Sequence, residues 1–207
     1  LNVYRPSIVY GDSRTGRTLR FNALYYPVKA AVFLRDIYLA DIRERGGRKA
    51  SELGIRMIEN GHLFMPIRIE VGREGGINLV PIDHCVDVFM AILVDCLEGG
   101  IYHIVNSRAT RIEDIVAQAK NLFRLDGVET CRPEAFDARP KNALETLFDT
   151  YLDPYRTYMQ DLRTFEIKNA APVLERHGLV CPEFDYDVFA RCMSYAVETG
   201  WGTRLFP

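Results

Sequence analysis

The chain has 207 residues, 48% of them apolar, with 26 basic and 28 acidic side chains and a formal net charge of -2. This is enough chain to bury a good core as one domain or one and a half. The balanced charge excludes the long-range attraction that binding to nucleic acid or anionic lipid requires. No apolar run reaches the roughly 18 residues of a membrane span, because Asp87 and Asp95 interrupt the most hydrophobic stretch, Cys85 to Leu97.

In chain order, Val3 to Tyr10 is rich in Val, Ile and Tyr and ends at Gly11-Asp12, the pattern of a buried strand running into a loop. Pro6 cannot donate a ladder hydrogen bond, so it belongs at a bulge or facing a cavity. Ser13 to Arg20 is polar and reads as loop. Pro27 suits the first turn of a helix that runs to about Arg45 on Ala31, Val32, Tyr38, Leu39 and Ile42, and Gly46-Gly47 stops it. Leu63 to Val71 and Ile77 to Ile82 read as strands of a small hairpin sheet joined by Gly72-Arg73-Glu74-Gly75-Gly76, a turn rather than a phosphate loop. His84 to Glu98 is apolar on nearly all sides, which predicts a helix buried between layers, with Asp83 as its N-cap.

Ile101 to Asn106 reads as another short buried strand. Thr110-Arg111-Ile112-Glu113 has the form of a capping box, and Ile112, Ile115, Val116, Ala119, Leu122 and Phe123 form the stripe of an amphipathic helix after it. Pro133 and Pro140 place a loop over 132–141. Three helices follow, near Ala143 to Leu162, Asn169 to His177 and Asp187 to Thr199. Phe148, Tyr151, Tyr155 and Tyr158, with Leu147, Leu152 and Met159, form a core face or an apolar trough on the first of them. The class is therefore α/β: early alternation of strands and helices, then a mainly helical lobe.

The cysteines, at 85, 96, 131, 181 and 192, are odd in number and lack metal-ligand spacing, which indicates a reducing, cytoplasmic setting. Cys85 and Cys96 fall on one helical face with Phe89, Ile92 and Leu93 and read as core thiols. His84 and His103 read as satisfied structural histidines.

Four segments in one order resemble the carboxyl-terminal portion of extended short-chain dehydrogenase/reductases, in the branch acting on fatty acyl thioesters. They are Arg5 to Gly16, Leu79-Val80-Pro81-Ile82-Asp83-His84-Cys85-Val86, Ile101-Tyr102-His103-Ile104-Val105-Asn106, and Phe165-Glu166-Ile167-Lys168-Asn169 with Leu174 and Gly178-Leu179. The resemblance implies a Rossmann-type fold. Residues 1–12 and 101–106 would be strands of its main sheet, and 13–100 and 107–207 would be mostly substrate lobe. It also implies that Pro6, Ser7, Ile8 and Val9 run past the nicotinamide of NADP or NAD, and that Tyr10, Gly11, Asp12, Ser13 and Arg14 border the substrate. Thr15 extends that border. Ligands of open parallel sheets collect beyond the carboxyl ends of strands, which agrees with this placement; a solvated tight turn is the alternative.

Such an enzyme needs on the order of 150 residues to build its cofactor half, and only four precede Arg5. The sequence also opens without Met or a leader segment, so it reads as a piece of a longer protein whose amino-terminal half is a partner. This chain alone is expected to be inactive and to bind no cofactor tightly. Ser13, Tyr25 and Lys29 have nearly the separation of a reductase proton-transfer triad, in which Lys lowers the Tyr pKa and Ser orients the substrate oxygen. Chain order argues against it, since the family's Tyr and Lys precede the strand that Arg5 to Gly11 resembles. The implied substrate is a small molecule, an acyl thioester or aldehyde. A fragment of a sugar-nucleotide epimerase or dehydratase remains open through Arg14, Arg17 and Arg20. So does a non-catalytic assembly module, homo-oligomeric through exposed sheet edges.

Overall fold

The computed structural model describes residues 1–72, 76–95, 99–156 and 164–203. In chain order the strands are β1 (Asn2–Pro6), β2 (Ile8–Tyr10), β3 (Arg56–Met57), β4 (Leu63–Glu70), β5 (Gly76–Ile77), β6 (Leu79–Pro81), β7 (Gly100–Ile104), β8 (Thr110–Arg111) and β9 (Leu125–Cys131). The helices are α1 (Tyr25–Glu44), α2 (Arg48–Glu52), α3 (Ile82–Asp95), α4 (Ile112–Phe123), α5 (Pro133–Asp137), α6 (Ala143–Leu152), α7 (Ala171–Arg176) and α8 (Tyr186–Glu198). Two compact units result, one from Leu1–Phe21, Ile77–Thr110 and Leu162–Pro207, the other from Asn22–Gly76 and Arg111–Asp161.

In the first unit β1 pairs in parallel with β7, and β2 pairs in parallel with β6. The chain changes partner at Pro6 and Ser7, where the missing proline N–H makes an interruption cheap. Ser7 donates its amide to Ile104 O at 3.0 Å and its hydroxyl to Asn78 O at 2.8 Å. The expected buried strand is therefore two strands, and only Tyr10 among these residues is fully buried. Val3, Val9 and Ile101 remain more than a third exposed, and β7 alternates inward Tyr102 and Ile104 with outward residues rather than being buried throughout. Behind this sheet α3 packs His84, Cys85, Val88, Ala91 and Ile92 inward, in a core that also holds Tyr102, Ile104 and Val173 of α7.

The helix is not covered on both sides. Ile82, Val86, Met90, Leu93 and Val94 form a stripe at helical spacing on its outer face, with Met90 56% and Val94 68% exposed. Leu93 thus lies away from Cys85. Cys96, the other thiol placed on that face, lies outside the described residues, as do Tyr158 and Met159.

The second unit contains a three-stranded sheet in the order β3-β4-β9, with β4 antiparallel to β3 and parallel to β9. This replaces the expected hairpin: β4 alternates buried and half-buried residues and takes β9 as its neighbour, while Leu79, Val80 and Pro81 of β6 are all buried beside β2. Residues 73–75 of the glycine-rich connection lie outside the described residues. The ladder from β4 to β9 is irregular between Phe64 and Ile67. There Gly127 sits at φ 72°, and a Cβ on it would lie 2.7 Å from the Phe64 ring.

Helix α1 ends at Gly46 and Gly47, both with positive φ, and buries Ala31, Val32, Leu34 and Tyr38. Helix α4 buries Ile112, Ile115 and Phe123, as its stripe predicts. Its capping box does not form. The helix starts at Ile112, so Thr110 lies outside it, and Glu113 faces Arg111 at 3.6 Å and Arg132 at 4.0 Å instead. The real capping box is Asn142 with Glu145 at the start of α6, and the loop expected over 132–141 contains α5, begun by Pro133.

Glu145, 2% exposed, also receives Arg68 of β4 in a bidentate pair at 2.7 and 2.8 Å. The guanidinium further donates to Phe136 O and Pro140 O, so one arginine joins β4, α5 and α6. Burial alone would raise the Glu145 carboxyl, but hydrogen bonds from Arg68 and Asn142 outweigh it and hold it below the usual range.

Candidate functional site

The loop that leaves the carboxyl end of β2 is held from three directions. Tyr10 is 2% exposed, and its ring meets Phe184 edge-on at 4.8 Å. The Asp12 carboxylate closes a turn by accepting from Arg14 N at 3.0 Å, Thr15 N at 2.8 Å and Thr15 Oγ1 at 2.9 Å, while Gly16 N donates to Asp12 O at 2.8 Å. Burial alone would raise the Asp12 carboxyl, but these bonds and the Arg14 charge hold it below the usual carboxylate range.

Asp83 is the anchor, and its role differs from the expected N-cap. It lies inside the first turn of α3 and accepts from Ser13 N at 3.0 Å and Ser13 Oγ at 2.7 Å. On the opposite side Arg191 Nε of α8 donates to Ser13 O at 3.1 Å. Gly16 lies against α8 so closely that a Cβ would stand 2.4 Å from Arg191 O, and its φ is 72°. The lack of a side chain at Gly16 is what lets this loop lie against α8.

A second clamp fixes the strand ends. Asn78 Nδ2 donates to Asn106 O at 2.8 Å, and Asn106 N donates to Asn78 Oδ1 at 2.9 Å. Asn106 Nδ2 reaches Leu79 O and Pro182 O, both at 3.3 Å. Neither asparagine stands out in the sequence, because amides paired across 28 residues leave no local pattern.

Pro6 closes β1, Ser7 sits at the interruption, and Ile8 and Val9 lie in β2, with Val9 39% exposed. Gly11 and Ser13 are buried, whereas Arg14 and Thr15 face outward. The Arg14 guanidinium is 78% exposed and makes only loose ion pairs with Asp12 at 3.7 Å and Asp83 at 3.9 Å. The loop thus presents Arg14 and Thr15 on a turn whose backbone is already fixed.

Of the triad candidates, Ser13 donates its hydroxyl to Asp83 at 2.7 Å. Tyr25 is 1% exposed in the first turn of α1, with Lys29 half-buried one turn later, both in the second unit. His103 donates from Nδ1 to Glu166 O at 2.8 Å, a satisfied structural role. His84 is buried, which pushes its pKa down against the opposing pull of Asp87 and Asp83. Burial raises the Cys85 and Cys181 thiols to about 12.

In the second unit, Phe148 and Leu152 of the aromatic stretch are core residues, whereas Tyr151 and Tyr155 meet Tyr26 at 6.4 and 5.5 Å on the surface. A dinucleotide does not fit the described residues by itself. Its pyrophosphate needs a glycine-rich strand-to-helix turn. The glycine at the β2 turn, Gly16, is instead filled by α8 backbone, and no Gly-x-Gly-x-x-Gly occurs in the sequence. No described helix is long and apolar enough to cross a membrane.

No protein-family model matches the sequence, and no curated protein matches it. Solved structures are. The terminal R domain from the myxalamid PKS-NRPS biosynthetic pathway superposes with a TM-score of 0.61 at 15% identity, over 97% of this chain and 44% of that one. A thiolation-reductase di-domain from an archaeal non-ribosomal peptide synthetase gives 0.59 at 13%, over 97% and 36%. The reductase (R) domain of a nonribosomal peptide synthetase from Mycobacterium tuberculosis gives 0.51 at 8%, over 97% and 46%. This chain therefore has the mixed α/β fold of part of a Rossmann-type extended reductase and spans less than half the length of the reductase chains it matches.

Proposed function

We propose that this chain is the substrate-binding portion of an NAD(P)H-dependent reductase acting on an acyl thioester or aldehyde, and that alone it performs no reduction. The observation that carries the reading is the match of 97% of this chain to 44% of a reductase domain. The remainder of such a domain is what would hold the dinucleotide. The outer stripe of α3 fits the same reading, because its side chains, 41% to 68% exposed, would each gain on the order of 1 kcal/mol when a complementary portion covers them.

In this reading Pro6, Ser7, Ile8 and Val9 form the wall along the nicotinamide, and Tyr10 to Arg14 form the edge of the substrate cleft. The contribution of the loop is orientation. Asp12 and Asp83 fix the turn, so Arg14 and Thr15 meet a polar substrate group without first paying to order their backbone. With the Ser13 hydroxyl bonded to Asp83, this reading assigns proton transfer to groups of the complementary portion.

A second reading is an assembly module without chemistry, in which another copy covers the α3 stripe. The stripe alone favours it. Two titrations separate them: NADPH followed by its fluorescence, and an acyl-pantetheine thioester followed by calorimetry. The substrate-portion reading predicts thioester binding without NADPH binding. Tight NADPH binding would overturn it. A dimer that binds neither would favour the assembly module.

A further inference from the structure

The second unit carries a pocket that the reading above does not use. It has a volume of about 320 Å³ and opens where the end of α4 meets the second half of α1 and the strand β3. That size is at the small end of the ~300–1,000 Å³ typical of small-molecule sites. Arg35, Arg43 and Arg124 all line it, over a floor that includes Leu39, Met57 and Leu122, and no Asp or Glu is among its described lining residues. Arg35 is paired with Asp36 just outside the lining, so it is Arg43 and Arg124 that bring charge without a described carboxylate partner to one cavity.

The three arginines are not equivalent. Arg35 is fixed: its Nε and Nη2 pair with Asp36 at 2.9 and 2.8 Å, its Nη1 donates to Phe123 O at 3.2 Å, and its guanidinium lies 5.8 Å from the Phe123 ring centre. Among the described residues neither Arg43 nor Arg124 has an ion-pair partner. Arg43 has a plain structural explanation, since a cation in the last turn of α1 offsets the helix dipole.

Arg124 does not share it. It caps α4 at φ 53° and ψ 50°, a left-handed conformation that glycine or asparagine adopts at lower cost. Lys120 already supplies a cation to the last turn of that helix at ordinary dihedrals. An arginine in a glycine's position, beside a cavity lined by two further arginines, is what a site for a multiply charged anion requires. Guanidinium groups engage phosphate oxygens in pairs, as a single lysine does not.

We propose that this pocket binds an organic phosphate, its phosphate held by Arg43 and Arg124 against the fixed Arg35 and its organic remainder lying on Leu39, Met57 and Leu122. The site is independent of the loop after β2 and stands whether or not the chain belongs to a reductase.

The test is calorimetric titration of the full chain at low ionic strength with octyl phosphate, inorganic phosphate and octanoate. Octyl phosphate should bind saturably at one site, with inorganic phosphate weaker. Arg43→Ala and Arg124→Gly should each weaken it by about tenfold or more, the loss of one charge-assisted contact. Arg124→Gly should also keep or raise the melting temperature, because glycine relieves the left-handed backbone. That separates loss of a ligand contact from loss of fold. Octanoate binding as tightly as octyl phosphate, or full affinity retained in both variants, would overturn the assignment.

Discussion

Removing the Asp83 carboxylate isolates what holds the substrate-edge loop. Asp83→Ala leaves the Ser13 amide and hydroxyl without their acceptors at 3.0 and 2.7 Å, in a residue only 7% exposed. Each unsatisfied group costs about 1–3 kcal/mol. Part of that is recovered because the hydroxyl can rotate, so the expected net loss is about 2–4 kcal/mol. Asp83→Asn keeps an oxygen for the amide and places a donor near the hydroxyl, which can accept; losing the charge should cost about 1 kcal/mol. Urea unfolding measures both, with the slope held to the wild-type value, and amide hydrogen exchange at 13–16 locates the change. A loss under about 0.5 kcal/mol for Asp83→Ala, the level of an ordinary surface substitution, would refute the anchoring role. So would equal losses for the two variants.

Other substitutions probe the remaining elements. Gly16→Ala should cost about 2–5 kcal/mol by equilibrium unfolding, from the left-handed backbone and overpacking against α8. On α3, Met90→Gln should change stability by under about 0.5 kcal/mol, whereas Ile92→Ala should cost about 2–5 kcal/mol; a large loss at Met90 would mean that the outer stripe is already covered. Glu145→Ala should lower stability in equilibrium unfolding by removing the carboxylate that pairs with Arg68 and caps α6. Because the Glu145 carboxyl is held below its ordinary value of 4.5 in the folded chain, the stability it supplies is complete above that pH and is lost as the pH falls below it. Glu145→Gln should therefore flatten the acid limb of the stability profile. Cys85 and Cys181, with thiols near 12, carry about one thiolate in ten thousand at pH 8 and should label with disulfide reagents only as the chain opens.

The elements legible in the sequence were those written in local periodicity and punctuation. The α4 stripe, the stop of α1 at Gly46-Gly47 and the helices before Gly178 and Gly200 all fall where the pattern places them. Strand β9 was not legible, because Asp126-Gly127 imitates a turn while Gly127 in fact makes room for the Phe64 ring at an irregularity in the ladder. Nor was the partner of β4, since two apolar runs around a glycine-rich turn look the same whether they pair with each other or with distant strands. Helix α3 shows the converse. Its all-round apolar sequence predicts burial between layers, while its outer stripe is exposed. In the loop after β2, Asp12 to Gly16 invited attention as a polar turn. The groups that fix it, Asp83 and Arg191, are 70 and 178 residues from Ser13 and carry no motif.

The most direct test of the reductase-portion reading is hydrogen exchange on the full chain with and without two additions, NADPH and an acyl-pantetheine thioester. The reading predicts slower exchange across residues 10–16 with the thioester and no protection anywhere with NADPH. Protection of any segment by NADPH, or thioester protection that spares 10–16, would contradict it.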